Sequence, residues 1–328
     1  MKIALFDPYY KKFTDGMIKW WEANGYEVKC ERYYNPKLVN EWADIVWFDT
    51  CDNNIASATN PGEAIMADDA NYMPWDLQDM DLRGKKIICR PIDIEVWQGH
   101  YAAAHWGLVN DIIFIAPHIM ELMPPDQLVG MHEDVKMHYI PHSVDLDKYR
   151  FAKREPGFDI AVVSERWMSK GVDYILQIAL KLKQIDPRYK IHWLGKRSDY
   201  PWELQYFDDF VQHNDLNIEF TNWLDGDNPV DEFLEDKNYL LHGSHKEAFS
   251  MATAEAMAKG IKPVIHRFYG ADALWPGMTW SSIDEAIEMI TEDKYDSESY
   301  RQYLINHGYT LPQMMERIDL ILKGESND

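Results

Sequence analysis

Glu247 and Glu255 stand eight residues apart within residues 239–266, YLLHGSHKEAFSMATAEAMAKGIKPVIH. A carboxylate accepts two hydrogen bonds, so either one can grip a vicinal diol. The pattern predicts a short strand at 239–242 and a loop entering a helix over 247–259. A stop signal at Lys259-Gly260 and a second strand at 263–266 follow. Ser250 or Thr253 is suited to cap the helix, and Ala252, Ala254, Ala256, Met257 and Ala258 favour it. A strand, helix, strand unit of this kind builds a parallel sheet. Glu247 should then lie beyond the C-terminal edge of the sheet, where open α/β folds bind ligands, and Glu255 in the first turns of the helix. The amides of residues 249–252 would face outward at a helix N-terminus, suited to an anion or to sugar hydroxyls.

The contiguous segment Glu247-Ala-Phe-Ser-Met-Ala-Thr-Ala-Glu255-Ala-Met-Ala-Lys-Gly-Ile-Lys-Pro-Val resembles the E-x7-E segment of retaining GT-B glycosyltransferases, above all glycosyltransferase family 4. The family form is E-G-F-G followed by E-A-M-A-x-G-x-P-V, and Ala248 and Ser250 stand here where glycine is frequent. Ser164-Glu-Arg-Trp-Met-Ser-Lys170-Gly171 is similar to the family's G-R-(x)n-K-G loop, one residue shorter between its cations. By that resemblance Arg166 and Lys170 hold the donor diphosphate, where two cations neutralise the charge that grows on the leaving group. Residues 137–149 resemble the I-P-N-G-V-D segment, with His142 and Ser143 in place of Asn-Gly. Residues 90–100 resemble an R-x-H-x-x-E region and keep Arg90 and Glu95. Ile92 occupies the histidine position, which leaves Asp93 and His100 as candidate catalytic groups. The family's first loop often carries Gly-Gly near the donor, and here Gly16 stands alone after Thr14-Asp15. The loop from Thr221 corresponds to one that closes over the nucleobase, where Trp223 could stack.

The elements that must position these residues alternate along the chain. Strands are expected at 2–6, 26–30, 44–48, 85–89 and 109–115, then at 159–163, 190–195 and 217–220. Helices are expected at 16–24, 172–183, 230–234, 282–291 and within 297–322. Residues 53–81, rich in Asn, Asp and Pro, read as a long connection with one short helix bordering an acceptor cleft. The resemblance implies an α/β fold of GT-B type, two Rossmann-like domains facing a central cleft. Residues 1–150 would form the acceptor-side domain. Residues 151–328 would form the nucleotide-sugar domain, with the helix at 311–323 packing back toward the N-terminal domain. The implied activity is retaining hexosyl transfer from a nucleotide-sugar, a UDP- or GDP-sugar, to an acceptor hydroxyl. Glu247 would hold the donor sugar and Glu255 the ribose. The amides of Phe249, Ser250 and Met251 would assist, without a metal or other cofactor. Domain closure would exclude water so that transfer outruns hydrolysis.

At 328 residues the chain suits two domains better than one core. No apolar run approaches the length of a membrane span, and the N-terminus enters a strand directly, which reads as a cytoplasmic protein without stable membrane insertion. Cys30, Cys51 and Cys89 are few, odd in number and scattered, which argues against a disulfide framework or a zinc site. A formal charge of −22 disfavours nucleic acid and anionic membrane surfaces as partners. The acceptor itself, whether glycan, small molecule, protein or modified nucleic acid, is not specified. Three other readings remain open. Asp225-Gly-Asp227 has the Asp-x-Asp form that holds a divalent ion on a diphosphate, as do Asp79-Met-Asp81 and Asp145-Leu-Asp147. A GT-B-like epimerase or phosphorylase shares the same frame. A non-catalytic nucleotide-sugar-binding protein would also fit.

Overall fold

The computed structural model describes residues 1–9, 11, 13–59, 82, 84–223 and 228–325. The chain divides into two compact units, Met1–His142 with Leu311–Asp328, and Ser143–Thr310. The division falls between His142 and Ser143, earlier than the 150/151 boundary read from the sequence, and the C-terminal helix counts with the first unit.

In the first unit the order is β1 (Lys2–Phe6), α1 (Asp15–Ala23), β2 (Glu27–Glu31), α2 (Pro36–Trp42), β3 (Ile45–Phe48) and α3 (Asn53–Thr59). Then come β4 (Lys86–Cys89), α4 (Ile94–Trp97), β5 (Asp111–Phe114), α5 (Pro117–Glu121) and β6 (Lys136–Tyr139). The strands form one sheet in the order β2-β1-β3-β4-β5-β6, and every pairing is parallel. Central strands of a parallel sheet are covered on both faces, so they read as unbroken apolar runs. All four residues of β3, Ile-Val-Trp-Phe, are accordingly buried. At the edge, β2, Glu-Val-Lys-Cys-Glu, is less covered, with Glu27 and Lys29 exposed and the other three positions half-buried.

The second unit runs β7 (Asp159–Val163), α6 (Val172–Ile185), β8 (Lys190–Leu194), α7 (Pro201–His213), β9 (Ile218–Thr221), α8 (Pro229–Phe233) and β10 (Tyr239–His242). It continues with α9 (Met251–Ala258), β11 (Lys262–His266), α10 (Ala271–Leu274), β12 (Thr279–Trp280), α11 (Ile283–Thr291) and α12 (Ser297–Asn306). The parallel sheet order is β12-β11-β10-β7-β8-β9. After β9 the chain returns to the other side of β7, so the topological switch lies between β7 and β10. Helix α6 buries Val172, Ile175, Leu176, Ile178, Ala179 and Leu182, the stripe a 3.6-residue period demands. Helix α9 is buried on most sides, and its alanines let it lie close against the sheet.

The last helix, α13 (Leu311–Lys323), lends Met314, Met315, Ile318, Ile321 and Leu322 to the core around Ile3, Trp21, Trp47 and Ile113. Arg317 Nη2 donates to the Tyr139 carbonyl at 2.5 Å, and Lys86 Nζ donates to the Ile321 carbonyl. No helix among the described residues is long and apolar enough to cross a membrane. The three cysteines are free thiols.

Candidate functional site

The loops that leave β7 and β10 meet at the switch point. The His245 amide donates to the Ser169 carbonyl at 3.0 Å. Gly171, at φ +71°, lies so close to Gly243 that a Cβ there would fall 2.0 Å from the Gly243 carbonyl oxygen. Glycine is therefore required next to Lys170 for two reasons, a left-handed backbone and a backbone-to-backbone contact. Gly195, just after β8, is under the same pressure from the β7 loop, with a Cβ position 1.9 Å from the Ser164 carbonyl oxygen. Val162, Ser164, Leu240, His242, Ser244 and Ala252 line a small crevice between these strand ends.

Glu247 projects from the β10 loop beside that crevice. Its Oε1 accepts from Lys170 Nζ at 2.7 Å and from Ser244 Oγ at 2.7 Å, and His242 Nε2 lies 3.4 Å away. The glutamate side chain is 15% exposed and the lysine 24%. Burial alone would raise the Glu247 pKa. The Lys170 charge and the His242 and Lys170 contacts outweigh it, and hold the carboxyl well below the usual carboxylate range. The group is thus a fixed anion with one cation set against it.

Between the two glutamates the chain turns through Phe249, Ser250 and Met251. Phe249 is buried against Trp275 and Tyr309, with ring centroids 5.2 and 5.0 Å apart. Ser250 precedes α9 but does not cap it as the sequence suggested. It adopts φ 65°, ψ 83°, a left-handed conformation, and its hydroxyl makes no capping hydrogen bond to the helix amides. Its Oγ instead meets Thr253 Oγ1 at 2.8 Å. Glu255 follows in the second turn of α9, and its charge, after burial, raises the pKa of the Tyr149 hydroxyl.

Arg166 does not stand with Lys170 on one group. Its guanidinium is buried and donates through Nη2 to the Gly195 carbonyl and to Asn222 Oδ1, each at 3.0 Å, while its plane lies over Phe220. Burial, and then the neighbouring Arg197, lower its pKa from the ordinary value. Trp223, adjoining Asn222, is 45% exposed. Asp225 and Asp227, and likewise Asp79 and Asp81, lie outside the described residues. Asp145 accepts from the Asp147 amide at 3.0 Å, a local turn. Among the described residues no three His, Cys, Asp or Glu side chains group so as to hold a metal ion.

The remaining sequence candidates belong to the first unit. Here too the sheet has a switch point, between β1 and β3, and Asp7 and Asp49 follow those strands directly. Arg90 grips buried Asp49 with both arms, at 2.7 and 2.9 Å. Glu95 accepts from the amides of Ile92 and Asp93 at 2.6 and 3.2 Å. The two residues kept from the R-x-H-x-x-E pattern are therefore the clamps of the turn that presents Ile92 and Asp93. The Tyr9 hydroxyl pKa is raised by burial and then by the charges of Glu95, Asp52, Asp93 and Asp7. His100 opens the 3-10 turn His100–Ala103 farther on. Gly16 lies in α1, and a Cβ there would press on Leu311 Cδ2 at 3.1 Å, so its smallness serves the approach of α1 to α13.

Sequence reasoning missed His242, Ser244, Tyr149, Asn222 and Gly195. Ser244 could have been found from its position three residues before Glu247. The others meet their partners only through the sheet order.

Residues 145–274, the segment holding Lys170, Glu247 and Glu255, match the family described as glycosyl transferases group 1. No curated protein matches the sequence. Among solved structures, HepE of Anabaena in complex with UDP is 14% identical, covering 99% of this chain and 100% of that one with a TM-score of 0.68. The fold is GT-B. The lipopolysaccharide outer core galactosyltransferase WaaB is 13% identical over 99% of both chains, with a TM-score of 0.67. A variant of S. aureus TarM, solved with fondaparinux, alpha-GlcNAc-glycerol and UDP, is 13% identical with a TM-score of 0.58. That match covers 73% of this chain and 51% of TarM, so this chain spans about half the length of that relative. The resemblance drawn from the E-x7-E segment thus agrees with both the family match and the fold.

Proposed function

We propose that this protein is a retaining glycosyltransferase that moves a hexosyl group from a nucleoside diphosphate donor to an acceptor hydroxyl in the cytoplasm, without a metal at the diphosphate. The observation that carries the reading is the Lys170–Glu247 pair, 2.7 Å apart at the switch point of the second sheet and inside the matched family segment. Open α/β folds bind ligands at that place. Glu247 would accept hydroxyls of the donor sugar and Glu255 those of the ribose. Lys170 would offset the charge on the departing diphosphate, and Arg166 would hold the Gly195 and Asn222 loops of the donor site. The amides of Phe249, Ser250 and Met251 would add donors, and Trp223 an exposed ring for the base. A uridine donor is favoured over a guanosine donor because HepE is solved with UDP, and with UDP and glucose. On the acceptor side Asp93 is the carboxylate to test first and His100 the second.

A thermal-shift panel of UDP, GDP, ADP and their common sugars, with and without EDTA, tests this on wild type and Glu255→Ala. A ligand that binds only the native state raises the midpoint with its saturation. Stabilisation by one nucleotide that survives EDTA and disappears in the variant is the expected result. Stabilisation abolished by EDTA would transfer the reading to a metal-held diphosphate. Silence toward every nucleotide would end the glycosyltransferase reading.

A further inference from the structure

His242 closes β10, and its ring is buried without an answering group. The residue is 7% exposed, and neither Nδ1 nor Nε2 has a hydrogen-bond partner among the described residues. Burying polar atoms in that state costs stability, so their retention calls for a reason. Phe268 meets the ring edge-on, with centroids 5.8 Å apart. Glu247 Oε1 lies 3.4 Å from Nε2, just beyond the usual N–H···O range of about 2.7–3.2 Å. The same oxygen accepts from Lys170 Nζ at 2.7 Å. Lys170 thus has two claimants, this carboxylate and the diphosphate of the proposed donor. The loops that carry the pair are tied together, by the His245 amide on the Ser169 carbonyl and by the contact of Gly171 with Gly243. The lysine side chain is 24% exposed, and its four-carbon stem can swing while the loops stay.

We propose that His242 is a positioning residue that takes over the Glu247 carboxylate when the donor diphosphate draws Lys170 away. The inference rests on the reading of Lys170 as a diphosphate ligand. A buried carboxylate that loses its cation is costly unless another donor replaces it. Closing the 3.4 Å gap by about half an ångström gives Nε2–H a full hydrogen bond to Oε1. A neutral imidazole with its proton on Nε2 suffices, and Nδ1 then carries no hydrogen that lacks an acceptor. Glu247 stays anchored for the sugar while the cation serves the leaving group. In the ligand-free protein that hydrogen bond is unmade, and the unpaired ring is held in reserve.

The test is calorimetric titration of UDP and uridine, with ligand-free thermal midpoints, for wild type, His242→Leu, His242→Gln, Lys170→Met and the His242→Leu/Lys170→Met double variant. His242→Leu should weaken UDP about tenfold and leave uridine within about twofold, because only the diphosphate calls on Lys170. His242→Gln keeps an N–H near the place of Nε2 and should hold UDP within about threefold of wild type. The midpoint should not fall in His242→Leu, since two unpaired nitrogens leave the interior. With Lys170 already methionine, His242 holds Glu247 without ligand. There the same leucine should lower the midpoint by at least about 2 °C and change UDP affinity by less than about twofold. UDP weakened by Lys170→Met but not by His242→Leu would overturn the hand-over and leave the donor reading standing. So would UDP and uridine weakened alike by the leucine, glutamine no better than leucine, or a midpoint change of the same sign and size in both backgrounds. UDP bound equally by wild type and Lys170→Met, or by neither, would overturn the donor reading and this proposal with it.

Discussion

Replacing Lys170 with methionine removes the cation from a carboxylate that has little water of its own. Removing one partner of a buried ion pair costs about 3–5 kcal/mol when the other charge is left uncompensated. Here the carboxylate is 15% exposed, and Ser244 Oγ remains on it at 2.7 Å. The expected loss for Lys170→Met is therefore smaller, about 2–3 kcal/mol. Glu247→Gln strands a longer and better hydrated group and should cost about 1–2 kcal/mol. The double variant leaves no unpaired charge, so it should fall short of the sum by about 2 kcal/mol. Urea unfolding of the four proteins, followed by tryptophan fluorescence, measures that coupling. Acid gives an independent check. The folded pKa of Glu247 lies below its unfolded value, so the stabilisation is complete above the ordinary Glu value of about 4.3 and is lost as pH falls below it. The gap between wild type and Lys170→Met should narrow correspondingly below about pH 4. A coupling under about 0.5 kcal/mol, or a gap that does not change between about pH 3 and 7, would refute the clamp.

Two further outcomes follow from the same loops. At Ser250 the usual order of alanine over glycine should invert. Both variants lose the hydroxyl contact to Thr253, but only Ser250→Gly relieves the left-handed strain, so it should be the more stable in urea by about 0.5–1 kcal/mol, and alanine equal to or above glycine would refute the strain argument. The two cations of the β7 loop should also separate by ligand. Lys170→Gln should weaken UDP at least about tenfold more than uridine, as loss of a diphosphate contact requires, and equal effects would remove Lys170 from the diphosphate. Arg166→Gln should weaken UDP and uridine alike, because its guanidinium fastens Gly195 and Asn222, and a loss confined to UDP would put it on the diphosphate instead.

The sequence showed the alternation of strand and helix best where burial leaves no choice. Strand β7 falls at 159–163 and β10 at 239–242 as read, since strands covered on both faces are short apolar runs between turn signals. Helix α7 went unread because its exposed Trp202 and Tyr206 break the expected polar face. Helix α2 went unread although Asn35 caps it, accepting from the Leu38 amide at 3.1 Å, and Pro36 opens it, which is the pattern that starts a helix. The partners of the site are a different matter. Lys170 and Glu247 are joined across 77 residues of chain, a contact that spacing cannot supply and sheet order can.

Departures from the family pattern are informative for the same reason. The family's frequent glycine before the helix fits a left-handed residue, and Ser250 shows that the conformation persists when the glycine does not. The geometry of the turn is therefore imposed from outside it. Phe249 is pinned between Trp275 and Tyr309 on one side, and Thr253 is fully buried on the other. A strained backbone survives only where its surroundings over-determine it. The fixed element of this site is then the packing that holds the turn, and the residue at its left-handed corner can vary at a cost of about 1 kcal/mol. By the same argument the loss of histidine at Ile92 leaves the turn between Arg90 and Glu95 intact, because its clamps are Asp49 and two backbone amides rather than the residue it presents. What such a turn presents can change while its shape stays, and that makes Asp93 the group to mutate first in testing the proposed acceptor side.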